Sequence, residues 1–117
     1  MADAFTTDTV RTYSTGFPGR ALSAARTHHL MLDSSSGPSE HMTNSEAFLA
    51  GISSCGVTLI EKYARDSGVP VHRMEVTISG IRAAADPARF ARIDMRFEIH
   101  GVEGAEADRL VEVWRSR

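Results

Sequence analysis

The sequence predicts an α+β fold in which antiparallel strands wrap a long central helix. Three observations predict it. One stretch, Thr43 to Arg65, carries apolar residues at three- and four-residue steps and opens on a helix-capping pattern. Two later segments, Arg73 to Arg82 and Arg92 to His100, alternate apolar and polar side chains. The 117-residue length fits a single domain spanning residues 1–117, large enough to bury a core.

Composition narrows the function class. Hydrophobic content of 42% and charged content of 24% are ordinary for a soluble globular chain. A formal net charge of −2 argues against general nucleic-acid binding. A single cysteine, Cys55, rules out an internal disulfide framework. The N-terminus shows no signal pattern, and no apolar run reaches the roughly 18 residues a membrane span needs. These features place the chain in the cytoplasm, away from the membrane, with its thiol reduced.

Residues 1–9 are small, polar and threonine-rich, and are expected to fray. Val10 to Ser14 suits a short strand, and Thr15-Gly16-Phe17-Pro18-Gly19 a turn. Arg20 to Asp33 reads as one strand, with Leu22, Ala24, Arg26, His28, Leu30 and Leu32 on one face. A hairpin is therefore the expected N-terminal unit. Ser34 to Ser39 is a loop by composition.

Thr43 and Glu46 form a T-x-x-E capping box, in which hydroxyl and carboxylate each take a free backbone N–H. The helix stripe reads Leu49, Ile52, Cys55 or Gly56, Leu59 and Tyr63, and Ser67-Gly68 before Pro70 is a stop. Met74, Val76 and Ile78, with Ile93, Met95, Phe97 and Ile99, form the covered face of the following pair, and the long helix is the natural cover. Ala107, Leu110, Val111 and Trp114 give a second amphipathic helix.

Cys55 carries the chemical question. It lies on the apolar stripe, where a cysteine acts as a small hydrophobe. Its neighbours Gly51, Ser53, Ser54 and Gly56 are small, so a ligand can approach closely. Lying mid-helix, it lacks the helix N-terminal field, so a reactive thiolate there requires a nearby cation. Arg26 is the first candidate and Arg20 the reserve. Glu46 has a structural reading as a cap. Nine residues at about 100° each sum to about 900°, which turns Glu46 and Cys55 to opposite sides of the helix. The glutamate can meet a thiol of a second subunit, or hold an arginine from outside.

The five histidines, His28, His29, His41, His72 and His100, show no metal-ligand spacing. No phosphate-binding glycine motif occurs. No metal or cofactor is expected.

Ala25-Arg26-Thr27-His28-His29, then Asp33, then Gly37-Pro38, then Asn44-Ser45-Glu46-Ala47-Phe48-Leu49-Ala50-Gly51-Ile52-Ser53-Ser54-Cys55 resembles the OsmC/Ohr family. The likeness runs from Arg20 to Arg117, and Glu46 to Cys55 is its specific part. The resemblance implies an intertwined homodimer with thiol sites at the subunit interface. It implies a peroxidase that reduces small organic hydroperoxides in oxidative-stress defence, using an external thiol or dithiol. Cys55 matches the peroxide-attacking cysteine, Glu46 the glutamate that pairs with the catalytic arginine, and Arg26 that arginine. Ser45 stands where the family has proline. The family's resolving cysteine would fall at or just after Arg117, and its C-terminal strand has no counterpart before that residue. The competing expectation is a non-catalytic dimer of the same fold that binds a small apolar ligand at its interface.

Overall fold

The computed structural model describes residues 4–116 and divides into two compact units, Met1–Ala47 and Phe48–Arg117. The expected fraying of residues 1–9 falls partly on residues 1–3, which lie outside the described residues.

The first unit is a three-stranded antiparallel sheet of β1 (Arg11–Ser14), β2 (Arg20–Ala25) and β3 (His28–Asp33), in that order. The single strand expected from Arg20 to Asp33 is two strands. Arg26 and Thr27 make a two-residue connection, with Ala25 opposite His28, and Arg26 adopts a left-handed φ of 57°. Arg26 thus stands on an exposed turn and not on a strand face beside the leucines. Neither residue is a usual turn former at positive φ, so composition did not mark the reversal.

α1 (Asn44–Asp66) begins at the end of this unit and runs on through the second. The capping box is formed: Glu46 N–H donates to Thr43 Oγ1 at 3.1 Å, and Thr43 N–H donates to Glu46 Oε1 at 2.8 Å. At the other end Val69 N–H reaches the Ala64 carbonyl at 2.8 Å and Gly68 N–H the Arg65 carbonyl at 3.4 Å. Gly68 has φ +71°, so glycine closes the helix as a left-handed cap.

The second unit adds β4 (Arg73–Ile81), β5 (Arg92–His100) and α2 (Gly104–Arg115). The two strands pair antiparallel from Arg73–His100 to Ile81–Arg92 without a bulge. Alternation follows the expected pattern at Met74, Val76, Ile78, Met95, Phe97 and Ile99, which are half-buried, whereas Ile93, expected on the same covered face, is exposed. The core is Ile60, Ala64 and Leu110, surrounded by Tyr63, Val69, Val71, Met74, Phe97, Ile99, Val102 and Trp114. Both helices therefore cover one face of the β4–β5 sheet.

The buried stripe of α1 is Gly56, Ile60 and Ala64: of the alternatives Cys55 or Gly56 it takes Gly56, and beyond it runs one residue round from the expected Leu59 and Tyr63. The small residues Gly56 and Ala64 let α2 and the sheet approach the helix backbone. A count of large apolar side chains passes over them.

Candidate functional site

Cys55, the only cysteine of the sequence, is exposed. The rotated stripe explains this: Gly56 takes the inward position and the thiol is displaced outward. Together with Leu59, Trp114 and Arg115 it lines an open pocket of about 470 Å³. A second hollow in the same unit, of about 500 Å³, is lined mainly by Ile52, Ile93, Met95, Phe97 and Val111. Trp114 and Arg115 border both.

Glu46 is exposed at the start of α1. One carboxylate oxygen takes the Thr43 N–H. Its second oxygen has no partner among the described residues and stays free to accept from a guanidinium. Arg26 has no ion pair among the described residues, and no hydrogen bond joins it to Glu46.

Arg20 is heavily engaged. Its Nε donates to Asp33 Oδ1 at 2.7 Å, and one terminal nitrogen donates to Asp33 Oδ2 at 3.1 Å and to Glu40 Oε1 at 2.7 Å. Asp33 is 0% exposed and the arginine side chain 11%. Asp33 Oδ2 also accepts the backbone N–H groups of Glu40 at 2.9 Å and His41 at 3.0 Å, and the His41 ring lies 3.6 Å away. The Arg20 hydrogen bond, aided by those N–H groups and opposed by burial, holds the Asp33 carboxyl well below the usual carboxylate range. The hydrogen bonds it donates to Asp33, then to Glu40, push the Arg20 guanidinium above its ordinary value. This network ties β2, β3 and the loop to α1 together. Asp33 N–H adds a bond to the Met42 carbonyl at 3.0 Å, next to Thr43.

Trp114 and Arg115 are the site residues that sequence reasoning missed. In the sequence Trp114 marks only an amphipathic helix face. Arg115 follows it, and nothing in the spacing relates α2 to Cys55.

The OsmC-like protein family matches residues 37–117. The chain belongs to this family. The fold agrees with solved members. An OsmC-like protein from Mycoplasma pneumoniae superposes with a TM-score of 0.84 at 14% identity, over 96% of this chain and 82% of that one. The organic hydroperoxide resistance protein OsmC of Legionella pneumophila gives 0.72 at 17% identity, over 97% and 85%. The organic hydroperoxide resistance protein OhrB of Bacillus subtilis gives 0.65 at 14%, over 97% and 86%. A search of curated proteins gave no match. Among the described residues, no helix of this OsmC-like chain is long and apolar enough to cross a membrane.

Proposed function

We propose that this OsmC-like chain is a thiol-dependent peroxidase that reduces small organic hydroperoxides in oxidative-stress defence. The observation that carries the reading is the position of Cys55. The chain's only thiol lies at the surface, in a pocket with Leu59 and Trp114, instead of filling the core. Two fold relatives are named as organic hydroperoxide resistance proteins, which supports the same chemistry.

In the reaction the Cys55 thiolate attacks the terminal oxygen of the hydroperoxide. An S–O bond forms as the O–O bond breaks, and the alkoxide leaves and takes a proton to become an alcohol. Sulfur is oxidised to a sulfenic acid by the two electrons it gives up. An external dithiol then attacks that sulfur and expels water. Its second thiol displaces the mixed disulfide, restoring Cys55 and leaving the reductant as its own disulfide. The apolar wall of Leu59 and Trp114 suits the organic part of the substrate.

Glu46 and Arg26 enter as a carboxylate that holds a guanidinium and a guanidinium that faces the thiolate. Because Glu46 and Cys55 point to opposite sides of α1, we assign them to a homodimer, with the glutamate serving the partner's thiol. A cytoplasmic setting supplies the reducing dithiol.

The test is consumption of an organic hydroperoxide by purified protein with excess dithiol. The wild type consumes it and Cys55→Ser does not. Equal rates overturn the proposal. They favour the second reading, a non-catalytic dimer that holds a small apolar ligand, which rests on the hollow lined by Ile52, Ile93, Met95, Phe97 and Val111.

A further inference from the structure

The last turn of α2 docks beside Cys55. A Cβ built on Gly56 would stand 3.4 Å from Cε2 and 3.5 Å from Nε1 of Trp114, so the indole rests on the helix where it has no side chain. The same indole meets Phe97 of β5 with ring centroids 5.6 Å apart, and it packs on the Ile60, Ala64 and Leu110 core. Trp114 is thereby held between α1 and the sheet. Arg115, the next residue, is carried to the Cys55 pocket by that anchor and supplies part of its wall.

The guanidinium is available for the work. The Arg115 side chain is 68% exposed, and its ion pair among the described residues is a long one, 3.6 Å from Nη1 to Glu112 Oε2. Five N–H donors are more than this contact uses. Among the described residues that line the pocket, Leu59 and Trp114 offer apolar surface, and Arg115 brings the charge.

We propose that Arg115 supplies the Cys55 pocket with a cation from the same chain, in addition to the guanidinium assigned to Arg26. It faces the negative charge on the sulfur and, in the peroxidase reading on which this part rests, the alkoxide oxygen released when the O–O bond breaks. A guanidinium stabilises such an anion by charge and by N–H donation, here on the scale of a solvent-exposed pair. The assignment adds an arginine from α2 to those the sequence nominated, Arg26 and Arg20.

The test compares alkylation of Cys55 by anionic iodoacetate and neutral iodoacetamide at one pH and low salt. A cation in the pocket favours the anionic reagent, whereas a change of fold or access alters both rates together. Arg115→Gln is expected to lower the iodoacetate-to-iodoacetamide rate ratio about threefold, the scale of an exposed charge pair. Arg115→Lys keeps most of the ratio. Arg109→Gln, on the same helix but paired with Glu106 at 3.1 Å and not lining the pocket, leaves it unchanged. An unchanged ratio in Arg115→Gln, or an equal fall in Arg109→Gln, overturns the assignment. Hydroperoxide turnover on the same proteins separates the two proposals. A lowered ratio without turnover in the wild type keeps Arg115 as a cation of the pocket and rejects the peroxidase. An unchanged ratio with Cys55-dependent turnover does the reverse.

Discussion

Asp33 has no access to solvent, yet it is held in its charged form by Arg20 and two backbone N–H groups. Its carboxyl is depressed in the folded chain and takes the ordinary value, about 3.9, when unfolded. Between those values the unfolded state binds the proton first, so stability falls as pH falls. The stabilisation is complete above the unfolded value and is lost progressively below about pH 4. Asp33→Asn keeps the shape but removes the charge that Arg20 and Glu40 surround. It is expected to lower the urea midpoint at pH 7, with the gap to wild type narrowing as pH drops below about 4. A gap independent of pH contradicts the account. The sequence marks Asp33 only as the end of a strand and a point of the family resemblance, and Arg20 only as a reserve cation. Their pairing is a cross-strand register, Arg20 opposite Asp33, and appears once the turn at Arg26 and Thr27 splits the expected strand.

The elements most legible in the sequence are those whose signals are local. The capping box, the Gly68 stop and the β4–β5 alternation rely on neighbours within a few residues, and each formed where expected. The face that α1 buries was less legible, because Gly56 and Ala64 matter for what they let approach and not for their own hydrophobicity. The same rotation decides the environment of Cys55. Glu46 illustrates how element and site divide. Glu46→Ala removes the reciprocal bond to Thr43 and is expected to cost about 1 kcal/mol of unfolding free energy, read by urea denaturation. Glu46→Gln keeps that bond, since glutamine serves equally in the box. Its stability should therefore match wild type within about 0.5 kcal/mol, while hydroperoxide turnover falls if the free oxygen holds an arginine. Wild-type turnover in Glu46→Gln would leave the residue as a cap alone.

For the whole molecule, several large apolar side chains stand at the surface of the single chain, among them Phe48 at 57% exposure and Ile93 at 38%. Such side chains mark a contact surface when they gather, and Ile93 and Ile52 line the same hollow. In the proposed dimer these residues pack on a second copy, and such residues have the same periodicity as ones that pack on their own core. The sequence alone groups Ile52 and Ile93 with the interior. We expect light scattering at micromolar concentration to give about twice the 12.7 kDa chain mass. A mass of one chain contradicts the dimer and with it the placement of Glu46 opposite a partner thiol. The central claim is the redox role of Cys55, and a single turnover without reductant tests it most directly. One equivalent of cumene hydroperoxide is added in the presence of dimedone, and the protein is mapped by mass spectrometry. The account predicts a dimedone adduct on Cys55 together with one equivalent of cumyl alcohol. An unmodified Cys55 with the hydroperoxide intact would contradict it.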